Sequence, residues 1–284
     1  MYPGIWTGIM AKSPLHKTLR LLAELGWQHF EISYEHLDMI MNSDAPERAI
    51  EMARQTIAEL QVSIPQAHMH LTHDITHPDK DIREKESSWV LRHFTIAAKL
   101  GVKNVVVHPG TGEGISLRCN ARKTLKNNIE TFKWFCGHAG ELGLRIGVEN
   151  IFDRIPPPQR HFGSTPSDLL DLIDGVGSPF LGITLDTSHA QIQGLDIPAT
   201  IRELGNLIIC THISDNNGTG LDQHWTPGRG VIDWKNVMSA FRDVCYDGIL
   251  NLEIPGEHNP HPGIMKLKIT HALAVVTAMA SNKF

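Results

Sequence analysis

Cysteine is scarce in this 284-residue chain, and what there is lies scattered. Cys119, Cys136, Cys210 and Cys245 form no CxxC pair. That excludes a disulfide framework or a thiolate zinc site and predicts reduced thiols in a cytoplasmic protein. No run of about 18 apolar residues occurs, so no membrane span is expected. The opening "MYPGIWTGIMAKSPLH" has no basic segment leading into a long apolar one, so no secretory signal is expected. A net charge of −5 supplies no broad basic field for phosphate backbones, which argues against a nucleic-acid partner. Tandem repeats, low-complexity tracts and interdomain linkers are also missing, so one domain over residues 1–284 is expected. Nothing in the sequence speaks against a homo-oligomer.

What the chain has in quantity is histidine, 17 against three tyrosines, so position must separate ligands from surface residues. Strand-like runs fall at 5–9, 28–33, 62–69, 103–108, 144–149, 181–186, 207–213 and 248–253. Helical spacing occupies 14–25, 46–60, 80–99, 118–142, 166–174, 198–205, 233–245 and 263–280. In 118–142, for example, Leu125, Ile129, Phe132 and Phe135 recur on one helical face. Pro46 stands near the start of one helix, and Gly26, Gly101 and Gly143 stand where others should stop. Eight such alternations imply parallel strands joined by right-handed crossovers. The length suits an α/β chain closed into a single (β/α)8 TIM barrel, with an open doubly wound sheet as the alternative. In a barrel the catalytic groups belong at the C-terminal ends of the strands.

Those ends carry one kind of chemistry. The third strand ends in "AHMH" (His68, His70), the fourth in "VVHPG" (His108) and the fifth in "VEN" (Glu149). The sixth ends in "LDTSH" (Asp186, His189), the seventh in "THISD" (His212, Asp215) and the eighth in "LEIPGE" (Glu253). A lone acid at a strand end ordinarily caps the following helix. Glu149, Asp186, His212 and Glu253, however, follow mostly apolar strands that barrel closure brings together. Unpaired, three carboxylates and an imidazole in one tight cavity would be strongly destabilising. A divalent cation removes the conflict, and this oxygen-rich set suits Mn²⁺ or Mg²⁺. Asp222 and His224, two apart on an extended segment, project to the same side and suit chelation of one ion.

Other features carry less. "HPGTGEG" at 108–114 lacks the Walker lysine and reads as a flexible loop, and "PPP" at 156–158 stiffens another. Trp225 suits stacking on a sugar, and Arg229 of "PGRG" suits the anionic end of a substrate. His73, His77 and His161 read as solvated, and Trp6, Trp89 and Trp134 as core.

The chain resembles the xylose isomerase-like TIM-barrel superfamily, which groups sugar isomerases and epimerases with type IV apurinic/apyrimidinic endonucleases. The resemblance covers nearly the whole chain and rests on "VVHPG", "GVEN", "LDTSHA", "HISDN", "DQHWTPGRGVIDW" and "LNLE". It implies a divalent-metal site, with Glu149, Asp186, His212 and Glu253 matching the four ligands of the isomerase branch. The endonuclease branch binds up to three Zn²⁺, and His68, His108, His189, Asp222 and His224 match its further ligands in order, giving all nine positions. Two departures stand out. "HMHL" lacks an aromatic after the third-strand histidine, and the first two βα loops lack the arginine and aromatic wedges that base or sugar extrusion needs. "NIFDR" after Glu149 and "ISDNNG" after His212 lack the second glutamate and the arginine of the ketose 3-epimerases.

The expected activity is therefore metal-dependent isomerisation or epimerisation of a small carbohydrate through an enediolate. Glu149 and Glu253 would exchange protons on the two faces of the substrate. His68, His189 and His70 would contact its hydroxyls. Two alternatives remain: a trinuclear zinc phosphodiesterase acting on abasic DNA, and a non-catalytic barrel that binds sugar or metal.

Overall fold

Each strand of the computed structural model runs parallel to its neighbours, in the order β7-β6-β5-β4-β3-β2-β1-β8. Residues 1–71, 74–111, 117–153, 161–257 and 261–283 are described, so His73, Gly112 to Gly114 and Pro156 to Pro158 lie outside the described residues. The strands are β1 (Tyr2–Trp6), β2 (His29–Ile32), β3 (Ser63–His68), β4 (Asn104–Val107), β5 (Arg145–Glu149), β6 (Leu181–Asp186), β7 (Ile208–His212) and β8 (Ile249–Leu252). The last gap closes just past β7, where Ile213 N–H donates to the Asn251 carbonyl at 2.7 Å and Glu253 N–H to the Ile213 carbonyl at 3.3 Å. The expected single (β/α)8 barrel is therefore the observed fold.

Ten α-helices occur among the described residues: α1 (Leu15–Glu24), α2 (Tyr34–Met41), α3 (Pro46–Leu60), α4 (Lys80–Lys99), α5 (Leu117–Leu142), α6 (Pro166–Val176), α7 (Thr187–Ile192), α8 (Ile197–Leu204), α9 (Trp234–Asp243) and α10 (Pro262–Ala280). Their inward faces follow helical spacing. In α1 the buried residues are Leu15, Thr18, Leu19 and Leu22. Helix α10 is long and apolar enough, by length and composition, to cross a membrane. Here it lies against β1 and β8 and buries Met265, Ile269, Ala272, Val276 and Met279 along one side, as a barrel helix does.

The sequence reading misplaced the first strand. Residues 7–9, counted with it, belong to a 3-10 turn (Thr7–Met10), and β1 begins at Tyr2. Pairing decides this, because Tyr2 to Ile5 align with Ile249 to Leu252 of β8. Gly4 leaves room there for the Ile249 side chain, since a Cβ would lie 2.1 Å from Ile249 Cδ1. Two helices were missed, α2 and α7. Each follows a strand end directly, leaving no loop to announce it.

Strand alternation sets the barrel interior. Gln66, Gly147, Thr184, Cys210 and Asn251 each precede a site position by two and share its inward face, and all are buried. A Cβ on Gly147 would lie 2.3 Å from Thr184 Oγ1, so this layer is filled up to the floor of the site.

Candidate metal centre and substrate cavity

Above that floor lies a cavity of about 410 Å³ lined by His68, His108, Glu149, His189, Asp222, His224 and Glu253, among others. Glu149, at the end of β5, is its hub. Oε2 accepts from His68 Nε2–H at 3.1 Å and lies 3.2 Å from His108 Nε2. Oε1 accepts from His212 Nδ1–H at 3.0 Å and lies 3.4 Å from His189 Nδ1. One carboxylate thus faces two pairs of imidazoles.

Glu149, Asp186, His212 and Glu253 each offer a ligand atom within 4.8 Å of the other three. The trios His68, His108, Glu149 and Asp186, His189, His224 meet the same criterion. Asp186 is the N-cap of α7: Oδ1 accepts from His189 N–H at 2.7 Å, whereas Oδ2 is buried with no hydrogen-bond partner. An orphaned carboxylate oxygen pointing at other ligand atoms is what a cation would satisfy. The donor set and this oxygen together fit a divalent ion.

The electrostatics say the same. Against the pull of burial, His212 and His108 hold the Glu149 carboxyl well below the usual range. His212 itself is pushed well above its ordinary value, with Glu149, Glu253 and Glu31 overcoming burial. Despite burial, Asp186, Asp222 and Glu149 raise His189 to about 9. Glu253, Asp222 and Asp186 likewise raise His224 to about 10. Glu149 raises His68, while burial prevails at His108 and lowers it. Asp222 resists burial and is held far below its ordinary value by His189 and His224. Burial pushes Glu253 up to about 7, and His212 and His224 only partly offset it. Protons here stand where cation charge would go.

The rim loop after β7 is fastened by Asp215, which sequence reading placed among the site acids. Its carboxylate instead turns away and accepts from the N–H groups of Asn216, Gly228, Gly230 and Ile232 and from Trp234 Nε1–H. Gly230 is obligatory, since a Cβ would lie 2.2 Å from Asp215 Oδ1 and 2.0 Å from the Asn216 carbonyl. This loop carries Asp222 and His224, whose Oδ1 and Nε2 lie 2.8 Å apart.

The expected substrate contacts divide. His70 lines the cavity, with Nε2 3.3 Å from Asp38 Oδ2. Trp225 and Arg229 line neither this cavity nor its neighbour; the guanidinium sits 5.4 Å from the Trp225 ring centre. The backbone bridge between Asp215 and Trp225 holds them on the rim. No lysine or arginine among the described residues lines either cavity. Trp6, expected in the core, lines the adjoining cavity of about 240 Å³ with Tyr34, Leu71 and Pro255. Trp134 is 38% exposed, and His161, expected in solvent, is buried in the cavity wall.

Sequence reasoning missed Glu31. It sits at the inner face of β2, fully buried, and accepts from His212 Nε2–H at 2.9 Å. An acid between Phe30 and Ile32 in the strand-like run "HFEIS" was the available signal.

The chain belongs to the xylose isomerase-like TIM barrel family, whose profile matches residues 19–271. An uncharacterized protein of Methanocaldococcus jannaschii is 32% identical over 159 residues, 55% of this chain and 52% of that protein. A D-psicose 3-epimerase of Enterocloster bolteae is 29% identical over 40% of this chain and 35% of its own length. The chain thus spans about half of the first relative and about a third of the second. An L-ribulose 3-epimerase of Mesorhizobium japonicum is 23% identical over 88% of this chain and 78% of its own length. Among solved structures, a D-tagatose 3-epimerase-like protein superposes with a TM-score of 0.83 at 22% identity, covering 100% of this chain and 98% of that one. That likeness is one of fold.

Proposed function

We propose that the chain, acting as one domain, is a divalent-metal-dependent isomerase or epimerase of a small polyhydroxylated carbonyl compound. One observation carries this: Glu149, Asp186, His212 and Glu253 converge, with a buried Asp186 oxygen that lacks a partner. The epimerase relatives point to the same chemistry.

Those four residues would hold the ion, and three carboxylates with one imidazole favour Mn²⁺ or Mg²⁺. When bound, it would supply Lewis-acid stabilisation of negative charge on neighbouring substrate oxygens. Glu253 is the proton acceptor. It faces both cavities, so it reaches a bound substrate as well as the ion. Glu149, whose oxygens face four imidazoles, is the second carboxylate placed to exchange a proton with the substrate. His70 and His189 contact substrate hydroxyls from the cavity wall, where Phe152 packs with its ring centre 5.1 Å from that of His189.

A second reading has its own observation. All nine ligand positions of the endonuclease branch line or border one cavity, so a three-zinc phosphodiesterase acting on abasic DNA is the alternative. Metal content and turnover decide between them. Protein purified without chelator should hold about one ion per chain and, with Mn²⁺ in deuterated water, should place deuterium beside the carbonyl of a ketose. Glu253→Gln should keep most of the metal and lose about a hundredfold or more in deuterium uptake. Three zinc ions with cleavage of abasic duplex, and no deuterium uptake, would replace this reading by the alternative.

A further inference from the structure

Three histidines of the centre are held from behind by uncharged backbone. The Nδ1–H of His68 donates to the Met69 carbonyl at 2.7 Å, that of His189 to the Asn150 carbonyl at 2.9 Å, and that of His224 to the Glu253 carbonyl at 3.0 Å. Each ring thereby turns Nε2 away from that anchor. His212 is reversed. Its Nε2–H donates to a carboxylate, Glu31 Oε2, and its Nδ1 faces Glu149 at 3.0 Å, Glu253 at 3.2 Å and Asp186 at 3.9 Å.

Glu31 is itself anchored. Its Oε2 also accepts from Gln66 Nε2–H, and that amide donates to the Thr211 carbonyl, one residue before His212, at 3.3 Å. Glu31 and Gln66 therefore grip the His212 ring and the strand that carries it. Glu31 is fully buried, and its Oε1 has no partner. A buried carboxylate this poorly compensated is costly to fold around and makes poor packing material.

We propose that Glu31 is a positioning residue that fixes His212 with Nδ1 as its ligating atom and, by holding the Nε2 proton, makes the imidazole a stronger donor. The inference rests on the metal-dependent reading above. A carboxylate behind a ligating histidine orients the ring and raises its basicity, and losing such a partner typically costs about 10- to 100-fold in metal affinity.

The test measures Mn²⁺ affinity by electron paramagnetic resonance, together with nitrogen NMR of His212, in the wild type, Glu31→Gln and Glu31→Leu. Glutamine retains a carbonyl that accepts from Nε2–H, so its affinity should fall about tenfold, against about a hundredfold for leucine. The His212 Nε2–H signal should be protected from exchange in the wild type with and without metal, persist in Glu31→Gln and vanish in Glu31→Leu. A role confined to stability would lower the melting temperature and leave both readouts of folded Glu31→Gln unchanged. Wild-type binding with an unchanged Glu31→Gln affinity overturns this proposal alone, as does a wild-type His212 with no protected Nε2 proton. A wild type that binds no divalent ion overturns the ligand-atom assignment and the metal-dependent reading together. Should Glu31→Leu fail to fold, Glu31→Gln decides.

Discussion

Loading the centre with metal must expel protons, and their number reports how many ions enter. In the metal-free protein His68, His189, His212 and His224 are all held above the ordinary histidine value by surrounding carboxylates. At pH 7 His189 and His224, raised to about 9 and 10, are protonated, and Glu253, raised to about 7, is about half so. A ligating imidazole nitrogen must be free of its proton. One ion held by Glu149, Asp186, His212 and Glu253 therefore displaces the His212 Nδ1 proton and the fraction on Glu253, between about one and two in all. Three ions would also draw on His189 and His224, raising the count to about three or four. Each proton released steepens the apparent affinity by about tenfold per pH unit, or about 1.4 kcal/mol. Calorimetric titration with Mn²⁺ and with Zn²⁺, in two pH 7 buffers of different ionisation enthalpy, yields the count directly. Heats that do not depend on the buffer, with affinity flat from about pH 6 to 8, would show that the imidazoles carry no displaceable protons and refute the electrostatic account.

Two further outcomes follow from groups outside the ligand set. His36 is buried against Thr7, Ser33 and the Ser13 carbonyl, and burial pushes it down to about 4. The unfolded chain binds this proton below about pH 6.5 and the folded protein only near 4, so stability should fall by up to about 3 kcal/mol across that window and not above it. Urea midpoints at several pH values check this, and a variant lacking the imidazole, His36→Gln, should show a shallower acid dependence. Asp215→Ala strips the acceptor from four backbone N–H groups and the Trp234 indole. Three of these donors are buried, the Asn216 and Ile232 N–H groups and the Trp234 indole, and at about 1–3 kcal/mol for each left unpaired a loss of about 3 kcal/mol or more is expected. Thermal unfolding that shows under about 1 kcal/mol would mean the loop is held by something else.

Periodicity was enough to read the barrel. Strand and helix alternate with clear spacing, and closure at this length brings the strand ends to one rim. Glu149, Asp186, His212 and Glu253 were legible because each acid or imidazole terminates an apolar strand, a position that sequence displays directly. Tertiary structure alone settled the remainder. Pairing with β8 set where β1 begins, because register belongs to two strands at once. Asp215 and Glu31 look alike in sequence, each a lone acid beside an apolar run. Only the three-dimensional path of the loop gathers five donors around Asp215 and turns it away, and only closure of the barrel lays β2 opposite β7, placing Glu31 behind His212.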